Sequence, residues 1–346
     1  MSERALATIE RVIKVYPIEG ADAIEGATVR GWEVVVKKGE FLPGDSVVYF
    51  EVDSMLDVED PRFAFLAARG VRTNAEGRKG HVLKTARLRG QYSQGLVLPI
   101  EEFPEIDGPY FGQDVTDQLG IIKWEPPLPP GMQGKILGGF PTWIPKTDEE
   151  RIQNVPEILT AHDPEQWVAT EKIDGTSTTF AVFDGTYHVY GRNWEQADGM
   201  LWDIAAQYDI FGLLEEVLVE SPLSGVALQG ETYGEGIQGN PLGVKGRHFK
   251  AFNLLFKFDD YRALHMTRER WGRMWPGLKD LFVPVYDGLA WPESVEAAVE
   301  QVDGIKSLIS PERNAEGVVW RLRGGEGDDK VSVKVISRKY LLKHDN

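Results

Sequence analysis

The stretch 170-TEKIDGTSTTF-180 sets Lys172 and Asp174 two residues apart at the end of a polar strand and follows them with Gly175 and a run of hydroxyls. Two readings fit it. One is a surface strand entering a turn; the other is a lysine placed to attack a phosphorus atom. Lys-x-Asp-Gly alone does not choose, since at average residue frequencies it arises by chance in roughly one of ten chains this long. A nucleophilic lysine, however, makes demands on the rest of the chain. It must give up its proton, lie against the sugar and base of a nucleotide, and have cations nearby to spread the phosphate charge.

Those demands predict metal-bridging carboxylates, a second lysine, a stacking aromatic and a ribose contact on later strands. Arg192 lies in YGRN at the end of the strand after Lys172, and Glu231 lies in GETYG at a strand end where glycines let a ligand approach. Phe252 is central in KAFNLLFKF, Glu316 opens EGVVWR, and Lys334 sits in VSVKVIS. Singly, each has a plain reading: a turn arginine, an exposed strand end, a core aromatic, a surface acid, an edge-strand lysine. Five coincidences in one order favour the chemistry.

The length of 346 residues predicts two domains, because single cores rarely grow much past about 250 residues. No apolar run approaches the roughly 18 to 20 residues that span a bilayer. The start, MSERALATIERVIK, carries charge where a secretory peptide needs an apolar segment, so export is not expected. The absence of cysteine excludes a disulfide framework, a thiolate metal site and a cysteine nucleophile, and fits the cytoplasm. A net charge of −16 argues against a polyanion partner on global balance. One stretch opposes that field: Arg69, Arg72, Arg78, Lys79, Lys84, Arg87 and Arg89 face Glu76 alone. An isolated basic run is usually a solvated loop, and this one gains weight only on a nucleic-acid-binding domain.

The first hundred residues alternate as short strands (TVRGWEVVV, SVVYFEV, HVLKTARLRG) with the turn signal Leu42-Pro43-Gly44-Asp45 between the first two. This predicts a small β-barrel, with the OB-fold as candidate. From Trp124 to Pro145 the chain is too rich in proline and glycine for an element interior and reads as a linker or a strap lying across the next domain. Thr147 or Asp148 is expected to cap a helix through EERIQNVPEIL. Beyond it, STTFAVF and TYHVYGRN flank Asp184-Gly185 as a hairpin, helices are expected at LWDIAAQYDIFGLLEEVL, TRERWGRMW and PESVEAAVEQVDGIKSL, and strands at GVALQGETY, HFKAFNLLFKF, GVVWRLR and KVSVKVI. The pattern is α+β with largely antiparallel sheets.

The ordered motifs E-K-I-D-G, G-R-N, G-E-T-Y-G-E-G-I-Q, F-N-L, E-G-V-V and S-V-K-V-I resemble those of the covalent lysine nucleotidyltransferases: ATP-dependent DNA and RNA ligases and messenger-RNA capping enzymes. DNA ligases and capping enzymes follow the last motif with an OB domain, for which twelve residues after Lys334 leave no room. With the OB-like domain in front, and with IPKTDEERIQN and RLRGQYSQGL, the chain is similar to the Deinococcus-type RNA ligase family. That resemblance implies an α+β nucleotidyltransferase domain of ATP-grasp-like antiparallel sheets flanked by helices at 146–346, a linker at 121–145, and a small all-β OB-type nucleic-acid-binding domain at 1–120. It implies an ATP-dependent ligase, acting as a monomer, that seals 3′-hydroxyl and 5′-phosphate ends of RNA or of nicked duplexes containing RNA.

By the same resemblance Lys172 is the nucleophile and Lys334 grips the α-phosphate. Glu171 and Ile173 contact adenine, Arg192 and Glu231 the ribose, and Phe252 stacks on the base. Asp174 and Glu316 hold a hydrated Mg²⁺ or Mn²⁺, which together with Lys334 disfavours the ammonium form of Lys172. Related ligases often carry Lys-x-Lys where this chain has Ser332-Val333-Lys334, and Lys330 is the remote substitute. Lys84, Arg87 and Arg89 are candidates for an RNA backbone, with Tyr92 or Trp32 for stacking. A GTP-using capping-type transferase and a non-catalytic RNA- or nucleotide-binding module are the alternatives.

Overall fold

The structure, a computed structural model, describes residues 4–74, 76–125, 136–219, 223–259, 263–324 and 331–344. Lys330 and the linker stretch 126–135 lie outside the described residues. Two compact units emerge. One comprises the described residues of Met1–Pro129, Ile152–Pro156 and Leu341–Asn346; the other comprises those of Pro130–Arg151 and Glu157–Tyr340.

The first unit is built mainly of strands, with a 3-10 helix at Pro61–Arg69. Its strands are β1 (Ala7–Pro17), β2 (Ile24–Val29), β3 (Trp32–Lys37), β4 (Ser46–Phe50), β5 (Ser54–Asp57), β6 (Arg72–Thr73), β7 (Lys79–Val82), β8 (Ala86–Leu88), β9 (Gln91–Ser93), β10 (Leu96–Pro99) and β11 (Ile122–Lys123). A five-stranded sheet runs β10-β4-β1-β2-β3, a second runs β11-β5-β7-β6, and β8 and β9 form a hairpin. The run SVVYF explains the layering. Val47 and Tyr49 enter one core with Trp32, Val34 and Val97, while Val48 and Phe50 enter another with Leu56, Phe63 and Leu98. Side chains two apart share a face, so the four apolar residues Val47–Phe50 in succession feed both cores.

The second unit holds two sheets. Its strands are β12 (Ile136–Gly139), β13 (Glu150–Arg151), β14 (Trp167–Lys172), β15 (Thr176–Phe183), β16 (Thr186–Tyr190), β17 (Trp194–Gln196), β18 (Gly225–Gly234), β19 (Arg247–Lys257), β20 (Ala263–Met266), β21 (Gly317–Leu322) and β22 (Ser332–Ile336). The larger sheet runs β12-β17-β16-β15-β18-β19-β20 and the smaller β13-β22-β21-β14, in which β13 lies parallel to β22. The helices are α1 (Ile158–Ala161), α2 (Met200–Gln207), α3 (Ile210–Val219), α4 (Arg268–Met274), α5 (Val295–Val302) and α6 (Arg338–His344). Side chains of α2, α3 and α4 cover one face of the large sheet through Leu201, Ile204, Leu214 and Trp271, which pack with Phe180, Val226, Phe249 and Leu254. The other face is covered by the strap expected from the sequence: Phe140, Trp143 and Ile144 lie on Ala181, Tyr190, Ala227 and Leu255.

Three expected elements differ. The helix through EERIQNVPEIL does not form; Glu150–Arg151 pairs with β22, Ile152–Asn154 makes a 3-10 turn, and only Ile158–Ala161 is helical. Pro156 accounts for the break, since it lacks an N–H and pushes Val155 away from helical angles. The long helix from Leu201 splits at Asp209, whose φ of 47° is left-handed, a conformation that aspartate tolerates better than most residues. The helix from Ser294 stops at Val302, and Gly304 at φ 86° turns the chain so that Ser307 is free of the helix.

On β14, Trp167, Ala169 and Glu171 point to one face and Val168, Thr170 and Lys172 to the other. The first face is clad in tryptophan. Trp167 stacks on Trp291 at 3.9 Å, and Trp291 meets Trp320 of β21 edge-on at 5.2 Å. Trp320 is fully buried behind the strands that carry Lys172. Trp320→Ala should therefore lower the unfolding free energy by about 3–5 kcal/mol in a urea titration of the second unit's signal; a change under about 1 kcal/mol would mean that this layer is not structural.

Candidate active site

Lys172 closes β14 and stands opposite Gly317, the first residue of β21. Its Nζ donates to both oxygens of Glu316, each at 2.7 Å. Glu231 of β18, paired with Ser177 of β15, comes from the large sheet to the same place. A Cβ built on Gly175 would lie 3.0 Å from Glu231 Cγ and 2.3 Å from the carbonyl oxygen of Thr232. The glycine of Lys-Ile-Asp-Gly is thus a close-approach residue. Gly317 is another, since a Cβ there would lie 2.2 Å from the Val335 carbonyl oxygen.

The charges in this cluster govern one another. Burial opposes the Lys172 ammonium, but Glu316, Glu231 and Asp174 outweigh it and hold its pKa above the ordinary lysine value. Burial, joined by the Glu316 and Asp174 charges, pushes Glu231 up to about 8 against the opposing pull of Lys172 and Arg192. Burial likewise raises Glu316, against Lys172 and Lys334. A nucleophile needs the neutral amine, so the protein alone holds Lys172 in the opposite state from the one expected with a cation bound. Three carboxylates around one ammonium are the reason. Asp174 Oδ2 accepts from the Tyr340 hydroxyl at 2.7 Å, and burial followed by the Asp174 and Glu316 charges holds that phenol far above the usual tyrosine range.

Lys334 lies across β21 from this cluster, paired with Val319, and its Nζ donates to Asp148 Oδ1 at 2.6 Å. Arg192, in the turn between β16 and β17, reaches Asp148 Oδ2 at 3.4 Å with a half-exposed side chain. The neighbouring Glu149 takes Ser332 and Arg321. Asp148 and Glu149, expected to open a helix, instead neutralise the cations of β21, β22 and the Arg192 turn. Acids in the run Asp148-Glu149-Glu150 read locally as the first turn of a helix, and nothing beside them in sequence points to Lys334 or Arg321. Phe252 occupies the bulge where Gln229 pairs Asn253 and Gly230 pairs Ala251, and the extra residue re-aims its ring. It packs with Ile173, Tyr233, Leu242 and Val283, and the Arg321 guanidinium lies 5.4 Å from the ring centre.

Glu171 is buried on the opposite face of β14 from Lys172. Its carboxylate accepts from Ser307 Oγ and from the Leu308 N–H, and burial raises its pKa. Ser307 was invisible to sequence reasoning because the helix expected over it ends earlier. On the first unit, Lys84 Nζ and the Arg72 guanidinium each lie 5.1 Å from the Trp124 ring centre, and Lys84 also pairs with Asp53 at 3.5 Å. Arg87 lies 5.3 Å over Tyr92, while Arg89 at φ 50° and Gly90 at φ 86° form the tight turn of the β8–β9 hairpin. Trp32 is not available for stacking on a ligand. It is fully buried, and its indole N–H donates to Asn154 Oδ1 at 2.7 Å.

An OB-type unit followed by a unit that gathers a buried lysine with carboxylates from two sheets and holds a second lysine on the neighbouring strand has the architecture of a ligase nucleotidyltransferase. Comparison with known proteins agrees: an RNA ligase family model matches residues 165–336 and an OB-fold domain model residues 6–100. No curated protein sequence matches the chain. Among solved structures, an apo variant of Naegleria gruberi RNA ligase is 38% identical with a TM-score of 0.86, covering 100% of this chain and 99% of that one. A variant with AMP and Mn gives 38% identity and a TM-score of 0.86 over 99% of each chain, and a variant with ATP and Mn gives 38% and 0.85 over 98% and 99%. The chain belongs to the RNA ligase family.

Gly175→Ala should destabilise the second unit by about 1–3 kcal/mol, because the added methyl displaces the Thr232 carbonyl beside Glu231. Thermal melting of wild type and variant checks this; an unchanged midpoint would mean that the two backbones separate without cost.

Proposed function

We propose that the chain is an ATP-dependent RNA ligase that seals a 3′-hydroxyl to a 5′-phosphate, at nicks in duplexes containing RNA. The observation that carries the reading is Lys172 held 2.7 Å from both Glu316 oxygens with Asp174 and Glu231 beside it and Lys334 near Glu316. The Naegleria relatives bound to ATP or AMP with Mn support the choice of nucleotide and metal. The OB-first layout and the motif order favour the Deinococcus-type branch, with the functional division at 1–120, 121–145 and 146–346, acting as a cytoplasmic monomer.

In the first step Lys172 Nζ, having lost a proton, forms a bond to the α-phosphorus as the bond to pyrophosphate breaks, giving lysyl-AMP. The AMP then passes to the RNA 5′-phosphate, breaking the N–P bond. Attack of the 3′-hydroxyl on that 5′-phosphorus closes the strand and releases AMP. Lys334 grips the α-phosphate, for which it leaves Asp148. Arg192 and Glu231 meet the ribose, Phe252 stacks on the base, and Glu171 and Ile173 shape the adenine end.

Asp174 and Glu316 supply hard oxygen donors suited to Mg²⁺ or Mn²⁺. A cation held by two carboxylates would keep several waters and share phosphate oxygens. When bound, such a cation offsets the carboxylates around Lys172, lowers its proton affinity and neutralises phosphate charge. Lys84, Arg87 and Arg89 follow the RNA backbone.

Incubation with α-labelled ATP and Mn²⁺ should leave a label on the protein that survives alkali and is released by acid, as a phosphoramidate is, and that is absent in Lys172→Met; equal labelling of the variant rejects the mechanism. Unlabelled ATP should compete and GTP should not, whereas the reverse selects a capping-type enzyme. Joint replacement of Lys84, Arg87 and Arg89 by alanine should weaken end joining about tenfold or more at 150 mM salt while changing lysyl-AMP formation less than about twofold. Parallel loss of both steps in a gel assay would assign these residues to folding.

A further inference from the structure

The motif reading ends at Lys334, yet the chain continues into a helix that returns to the reaction centre. Ser337, fully buried after β22, donates its N–H to the Glu316 carbonyl at 2.9 Å, and its Oγ accepts the Tyr340 N–H at 3.2 Å. Asp303, just past α5, holds the start of α6: Oδ1 accepts the Arg338 N–H at 2.7 Å and Oδ2 accepts Arg338 Nε at 2.8 Å. Tyr340 is therefore fixed from both sides. Its side chain is 6% exposed, and its hydroxyl donates to Asp174 Oδ2 at 2.7 Å. One backbone unit thus ties α6 to Glu316, and one side chain of α6 ties down Asp174.

We infer that Tyr340 is a positioning residue for the ligase reaction, its hydroxyl orienting the Asp174 carboxylate for the divalent cation. The inference rests on the proposed lysyl-AMP mechanism. An aspartate carboxylate can rotate about two side-chain bonds, and a hydrogen bond to one oxygen from a buried tyrosine on a capped helical turn restricts that rotation. Groups that orient metal-binding carboxylates in this way commonly influence metal affinity and rate without touching substrate. A purely structural role is the competing account, because the ring is buried.

Tyr340→Phe separates the two, since it keeps the ring and deletes the donor. In the full-length protein, lysyl-AMP formation at saturating ATP should fall about tenfold or more, and Mn²⁺ binding, followed by electron paramagnetic resonance with a non-cleavable ATP analogue, should weaken about tenfold. The KM for ATP should move less than about threefold, because the hydroxyl serves Asp174 and not the nucleotide. Joining Tyr340→Phe to Asp174→Asn should weaken Mn²⁺ binding no further than Asp174→Asn alone. Mn²⁺ affinity within twofold of wild type, an additive double variant, or a Tyr340→Phe protein that does not fold each overturns the inference. A wild-type protein that binds Mn²⁺ but forms no lysyl-AMP overturns the proposed function instead, and the Mn²⁺ arm still reads the role of the hydroxyl.

Discussion

The contact between Lys172 and Glu316 is the constraint around which the second unit is arranged. It is made by backbone register before it is made by side chains. Six consecutive pairs join β14 to β21, from Trp167 with Leu322 to Lys172 with Gly317, so the amine and the carboxylate arrive at the same end of the sheet. A slip of one residue would turn Lys172 toward the tryptophan layer and Glu171 toward the cleft. The layer of Trp167, Trp291 and Trp320 prevents that slip, because only the indole face can be buried there. Gly317 completes the arrangement by letting β22 approach, which brings Lys334 opposite Val319.

Two charge clusters of opposite sense follow from this register. Around Lys172 the acids outnumber the base, and Glu231 is driven up to about 8 by burial and by its acidic neighbours. Around Asp148 the bases outnumber the acid, with Lys334 and Arg192 sharing one carboxylate. Buried acids crowded around one ammonium are costly, and within the proposed mechanism a cation offsets that first cluster while a phosphate draws Lys334 from Asp148. Within the proposed mechanism one ligand pair satisfies both.

The strands of the second unit and the order of its charged residues were legible because the motifs follow one another along the chain, and at Lys172 and Glu316 a neighbouring glycine marks a close approach, a pattern that survives in one dimension. Alternation in TVRGWEVVV and the β-branched and aromatic run SVVYF likewise announced a first unit built of short strands. What stayed hidden depends on contacts distant in sequence. Asp148 and Glu149 resemble helix-capping acids, and only the parallel pairing of Glu150–Arg151 with β22 brings them to Lys334 and Arg321. The local pattern around Ser307 predicts a helix, which ends at Val302 before the turn at Gly304. Trp32 read as an exposed strand aromatic because nothing near it in sequence reveals Asn154, 122 residues away. Local propensity is written locally; ion pairs across a sheet are not.

The first unit shows how a chain of net charge −16 can still present cations usefully. Screening confines surface fields to about 8 Å at physiological salt, so an approaching polyanion responds to the nearest groups more than to the total. The nearest groups here rest on rings: Arg72 and Lys84 over Trp124, and Arg87 over Tyr92. An aromatic face attracts a cation without neutralising it, whereas the carboxylate of Asp53 does neutralise. Arg87 therefore keeps both its charge and a defined position on the β8–β9 hairpin, which a fully solvated arginine would not. Lys84, shared between Trp124 and Asp53, has its field partly offset by that carboxylate, and the two residues contribute unequally to any field felt by a phosphate backbone.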